Sequence, residues 1–133
     1  MTALKKLRDG DNGQALVELA LVLPVLLMLM GGIIETARLT NAYLAVVHGS
    51  REGARLGAVG GTDAEIVMQV KRAASPLEPE RISVSIYPAE ENRTAGEMIE
   101  VSVEYSIPLF TPPLNFILTN PYPVKASTVM RVE

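Results

Sequence analysis

Residues 15–34 read ALVELALVLPVLLMLMGGII, an apolar run of 20 residues in which Glu18 is the one ionisable side chain. As a helix rising about 1.5 Å per residue, such a run reaches about 30 Å, the thickness of a bilayer's hydrocarbon core. A cleaved secretory signal has a shorter apolar stretch, roughly 7 to 15 residues, closed by small residues at the cleavage site. Here the run flows into more helix-compatible sequence, and few of the residues that follow could bury it as a core helix. The reading is a transmembrane helix over residues 14–34.

Upstream lies MTALKKLRDGDNG, where Lys5, Lys6 and Arg8 stand against Asp9 and Asp11. Basic residues beside a span hold that side in the cytoplasm, and acidic residues count for little. The amino terminus is therefore expected inside and the body of the chain outside. Glu35 and Arg38 mark the expected membrane boundary.

The remaining composition excludes more than it assigns. Of 133 residues 48% are hydrophobic, yet aromatics are 5% and Trp is absent, so the excess lies in the span and not in an aromatic core. Twelve Lys and Arg against 15 Asp and Glu give a formal charge of −3 and no electrostatic footprint for nucleic acid. Without Cys there is no disulfide, thiolate zinc site or thiol nucleophile. The single His48 offers no metal cluster and no Ser/His pairing, and is expected at the surface. No catalytic residue, metal, cofactor or small-molecule substrate is expected. The chain reads as a non-enzyme, since an exported hydrolase would lack its nucleophile and base.

Glu18 requires a reason, because an ionised carboxylate inside a span costs about 2 to 3 kcal/mol or more and needs a partner. The junction Gly13-Gln14 precedes it. A cut there would give Gln14 a new α-ammonium group and make Glu18 the fifth residue of the product. The bland alternative is a carboxylate that snorkels to the headgroups.

A basic leader ending in Gly, a cut before an apolar helix and Glu five residues on resemble the class III signal of type IV pilins and pseudopilins. The string from Gly13 through Glu18 to Pro24 more narrowly resembles the TadE-like family, minor pilins of tight-adherence, Flp-type pilus systems. Arg51-Glu52-Gly53-Ala54-Arg55 and Met130-Arg131-Val132-Glu133 resemble that family's later motifs, so the likeness extends over nearly the whole chain. The resemblance implies that Gly13 and Gln14 flank the bond cut by a prepilin peptidase facing the cytoplasm, and that Glu18 pairs with the new amino group of Gln14, within the chain or across subunits. Losing residues 1–13 removes three basic and two acidic side chains and changes the charge from −3 to −4, while the anchor stays. Further implied partners are other pilins and inner-membrane pilus assembly proteins.

Pro24 removes a backbone donor and is expected to kink or soften the helix, either harmlessly or to help it leave the bilayer for a filament. Residues 35–59 carry no Pro and continue the helix outside. Ala42, Ala45, Gly49, Gly53 and Gly57 fall three or four apart and form one stripe. Its partner is either the chain's own sheet or another subunit. Arg51 and Arg55 beside Glu52 make a solvated face or a subunit contact.

Gly60-Gly61 should end this helix, and Thr62 to Glu65 has the form of a capping box opening a second helix to about Ala74. Ile66, Val67 and Val70 should face inward, and Ser75-Pro76 stops the helix. Apolar and polar residues then alternate over 82–87 and 99–107, and a third strand is read over 124–132. Between the first two lies a polar hairpin loop containing the sequon Asn92-Arg93-Thr94. Between the last two, residues 108–123 read PLFTPPLNFILTNPYP, rich in Pro and apolar side chains with both Phe of the chain. This loop should bury itself in its own domain or form a contact tip.

The expected architecture is α+β and pilin-like: leader 1–13, transmembrane helix 14–34, its extracytoplasmic continuation 35–59, and an α+β domain 60–133 with a short helix and a three-stranded antiparallel sheet. The expected function is that of a minor pilin or pseudopilin acting in pilus assembly, initiation and surface adhesion, held by one span in the cytoplasmic (inner) membrane and, once assembled, displayed on the pilus. The alternative is a membrane-anchored extracytoplasmic domain that never enters a filament.

Overall fold

The computed structural model describes residues 10–133, with side chains from residue 13 onward; Lys5, Lys6, Arg8 and Asp9 of the leader lie outside the described residues. A single helix, α1 (Gly10–Ala58), runs for 49 residues and passes through Pro24 without a break. At about 1.5 Å per residue it is about 73 Å long. It ends as the paired glycines require. Gly60 takes φ +85, a left-handed conformation that costs glycine nothing. Its N–H donates to the Gly57 carbonyl at 3.2 Å and that of Gly61 to Leu56 at 3.0 Å, the two bonds of a Schellman motif.

The second helix, α2 (Asp63–Ala73), opens on the expected capping box. The Glu65 N–H donates to Thr62 Oγ1, and the Thr62 N–H donates to the Glu65 carboxylate. Ile66 and Val70 are buried and Val67 is half-buried. A 3-10 turn at Pro79–Arg81 leads into β1 (Ile82–Tyr87), which pairs antiparallel with β2 (Met98–Ile107), and β2 with β3 (Tyr122–Arg131), giving the order β1-β2-β3. The register sets Val84 against Val103 and Val101 against Thr128. Because side chains alternate across a strand, Ile99, Val101, Val103, Tyr105 and Ile107 all face one side, where they are buried.

That side receives the carboxy-terminal half of α1. Ala42, Val46 and Ala54 join Ile66 and Val70 of α2 and the inward residues of the sheet in one core. Ser50, fully buried among them, donates to the Val47 carbonyl at 2.9 Å and lies 2.8 Å from Thr128 Oγ1, which joins α1 to β3 through a satisfied polar pair. The end of the chain closes the far side, where the Glu133 N–H donates to the Ala58 carbonyl at 2.8 Å.

A second clasp lies at the α1–α2 corner. Arg93, 5% exposed, pairs with Asp63 and donates to the Gly61 carbonyl at 2.8 Å. Asp63 and Glu90 exchange backbone-to-carboxylate hydrogen bonds at 3.1 and 3.3 Å. The loop expected as a plain polar hairpin, with Arg93 in the middle of a sequon, is therefore pinned to the helices by that arginine.

Candidate functional site

Helix α1 is two helices in its surroundings. From Ala42 onward one face is covered by the domain, whereas the large apolar side chains from Leu16 to Ile34 stand exposed, and none of the most apolar stretch is buried. An exposed apolar surface of this extent on a monomer marks contact with a membrane or another protein. Its length and composition are sufficient to cross a bilayer.

The residues expected to govern processing and assembly lie on this bare half. Gly13 and Gln14 lie on helical backbone near the start of α1, Gln14 being exposed. Glu18 and Pro24 are exposed on the same half, and among the described residues no side chain bonds to Glu18. Four residues from Pro24 the Ala20 carbonyl has no proline N–H to accept, and the helix continues regardless.

Where the bare half meets the domain, the structure holds a constellation that sequence reasoning passed over. Glu35 was expected only as a boundary marker, but it is 3% exposed. Its Oε1 accepts from Arg38 Nη1 at 2.9 Å, and its Oε2 accepts from Thr111 Oγ1 at 3.0 Å and from the Phe110 N–H at 3.4 Å. The Arg38 guanidinium lies 4.7 Å from the centroid of the Phe110 ring, a cation–π contact. Thr111 Oγ1 also lies 3.4 Å from the Gly31 carbonyl, so the loop rests on the helix backbone one turn before Glu35. The buried carboxylate thus has a cation on one oxygen and two donors on the other, as burial of a charge demands.

This latch seats the loop at residues 108–123. Asn120 closes its base by accepting from the Leu109 N–H at 3.1 Å and donating to the Leu109 carbonyl at 3.2 Å. A one-turn helix, α3 (Pro112–Asn115), forms its tip. Leu109 is buried, whereas Phe110, Phe116 and Ile117 are exposed, Phe116 to 91%. The loop is therefore divided: its stem packs on its own chain and its apolar tip does not.

The glycine stripe is occupied from within the chain. A methyl group at Gly53 would come within 2.5 Å of Val70 Cγ2, one at Gly57 would collide with Ile99 Cδ1, and one at Gly49 would lie 3.2 Å from Ala74 Cβ. Of the two partners expected for this stripe, its own α2 and β2 fill it. Arg51, Arg55 and His48 face outward, and Arg55 Nη2 donates to Glu52 at 2.9 Å, which holds the Glu52 carboxyl below its ordinary range. Among the described residues no group of acidic or histidine side chains could hold a metal ion.

Residues 13–55 match the family model described as TadE-like protein. No curated protein and no solved structure matches the chain. The match starts on Gly13, takes in the bare half of α1 and its clad continuation, and ends on Arg55, so the likeness covers the helix that carries Glu18 and not the sheet. Met130 to Glu133, and the sheet as a whole, lie outside the TadE-like residues. Within them the structure brings Glu35 and Arg38 to the 108–123 loop but leaves Gly13, Gln14 and Glu18 away from the domain. No signal in the local sequence could have paired Glu35 with Thr111, since the contact joins residues 76 positions apart. The absence of any charge from residue 108 to 123 was the one available hint.

Proposed function

We propose that this chain is a minor pilin or pseudopilin of a tight-adherence pilus, anchored by α1 in the cytoplasmic membrane with its α+β domain outside, and acting in pilus assembly and initiation and in surface adhesion. The observation that carries the reading is the contrast along one helix: bare and apolar over the TadE-like residues before Ile34, clad by a folded domain after Ala42. A helix built this way exchanges one apolar environment for another. In the membrane lipid covers the bare half; in a filament the helices of neighbouring pilins do. Its role is structural and not enzymatic.

Prepilin peptidase cuts between Gly13 and Gln14, which places a positive charge near Glu18 on the bare half. The new α-ammonium of a neighbouring subunit then supplies the partner that Glu18 lacks among the described side chains, and so registers one helix against the next. Both roles are tested by complementing a deletion strain. Gly13→Arg should leave the chain at its unprocessed gel mobility, and Glu18→Ala should be processed yet leave cells short of pili. Normal processing and piliation in both variants would reject the assignment.

A further inference from the structure

We infer that the tip of the 108–123 loop is a membrane-inserted foot, which lies in the extracytoplasmic leaflet beside α1 and sets the domain's height and tilt over the bilayer. The inference rests on the reading of α1 as a membrane span.

The loop's position carries the argument. Glu35 and Gly31 hold Thr111 from one side, so the loop descends along the helix into the last turns of the apolar run and does not project from the domain's far end. Pro112 and Pro113 border a groove that reaches Pro24, Leu27 and Met28, and Leu114 borders a second one with Met28, Leu29 and Ile33. The tip is thus level with residues that must be in hydrocarbon if the helix spans a bilayer. Phe110 lines the same groove as Pro24 and Leu27, and the exposed Phe116 and Ile117 follow Leu114, which borders the second groove, so lipid that covers the helix there would reach the tip.

Chemistry agrees with position. From Pro108 to Pro123 the chain has no Asp, Glu, Lys or Arg, so nothing charged is dragged into the leaflet. Just above the tip the side chains change to those that favour the headgroup zone: Tyr43, Tyr122 and Lys125 edge a common hollow, and Arg38 covers Phe110 with its guanidinium next to Glu35. Burial of the Glu35 carboxylate under the loop belongs to the same design. It keeps the first charge after the span paired and shielded where the foot enters.

Because the chain has no Trp, single tryptophans report each location separately. The full chain is reconstituted in phosphatidylcholine vesicles as Phe116→Trp, Leu26→Trp in the span, and Tyr87→Trp at the opposite end of the sheet, where the side chain is exposed. Emission is compared with and without lipids brominated along their acyl chains, and with acrylamide in the water. The foot requires that Phe116→Trp emit to the blue of Tyr87→Trp, lose intensity in brominated lipid as Leu26→Trp does, and resist acrylamide. If Leu26→Trp is quenched by lipid while Phe116→Trp behaves like Tyr87→Trp, the loop lies in water and the foot is overturned with the anchor intact. A blue shift at Phe116→Trp that ignores brominated lipid and grows with the protein-to-lipid ratio means that a second copy covers the tip, which also overturns it. Failure of Leu26→Trp to be quenched removes the span and the foot together.

Discussion

Thr111 Oγ1 donates a 3.0 Å hydrogen bond to Glu35 Oε2, and through this bond the linker between the last two strands is fastened to the helix at the point where its apolar run ends. The apolar half of α1 and the domain are thereby coupled by more than the peptide chain. A helix that continued into the domain alone would transmit its tilt through one rod; the latch adds a second point of contact and makes the junction stiff.

Replacing Thr111 by Val removes that donor while keeping the side chain's shape. The buried Glu35 carboxylate then retains Arg38 and the weaker Phe110 N–H, and the loss is expected to be about 1 to 2 kcal/mol. Hydrogen exchange of the full chain in detergent should show faster exchange at residues 109–120, with the strands of the sheet little changed. Unaltered exchange at the loop would show that the latch contributes nothing.

Gly57 and Gly32 lie on the same helix in opposite situations. A methyl group at Gly57 collides with Ile99, whereas one at Gly32 meets nothing within 4 Å. Overpacking costs about 1 to 3 kcal/mol, which outweighs the roughly 1 kcal/mol that Ala gains over Gly in a helix. Gly57→Ala should therefore lower the domain's thermal midpoint in detergent, while Gly32→Ala leaves it unchanged or raises it. Equal effects of the two would mean that α1 packs on the sheet differently.

Arg93 joins the β1–β2 loop to Asp63 and to the Gly61 carbonyl, and it is almost wholly buried while Asp63 is partly exposed. Arg93→Ala is expected to destabilise the domain by about 2 kcal/mol, since charged hydrogen bonds of this kind are each worth somewhat more than neutral ones. Arg93→Lys should recover only part, because one ammonium cannot replace the two-pronged guanidinium. Calorimetric midpoints of the three proteins in detergent would decide it, and a midpoint for Arg93→Ala matching the wild type would contradict the clasp.

Two carboxyls of the folded domain, away from the apolar run, give it an acid-side slope. The Thr62 N–H lowers Glu65 from its ordinary value of 4.5, and the Arg55 hydrogen bond lowers Glu52 likewise. A carboxyl depressed in the folded state stabilises it fully above the unfolded value and loses that contribution as pH falls through the folded value. Stability should thus hold from neutral pH to about 4.5 and fall below it. Glu65→Gln should flatten that fall; a midpoint in Glu65→Gln with the same acid slope as the wild type would remove Glu65 from the explanation.

Much of this architecture is written locally. The long apolar helix is a matter of length and composition, the capping box at Thr62 of two residues three apart, and the strands of strict alternation, and each was legible for that reason. The end of α1 at Gly60 needed only the left-handed residue that a Schellman motif requires. What the sequence withheld is long-range. The partner of the glycine stripe was undecided until α2 and β2 were seen to fill it. Arg93 looked like part of a hairpin tip, because its Asp63 partner is 30 positions away. Glu35 looked like the polar end of a span and drew less notice than Glu18, since nothing local shows that residues 108–123 fold back to bury it. Glu18 is the converse case: legible as an anomaly in the sequence, it finds no bonded partner among the described residues.

In the proposed function Gln14 becomes the first residue of the working protein, and this processed form enters a pilus. Intact mass and amino-terminal sequencing of the protein recovered from membrane and sheared-pilus fractions test it most directly. A chain starting at Gln14 is expected in both fractions. A chain starting at Met1 throughout would contradict it.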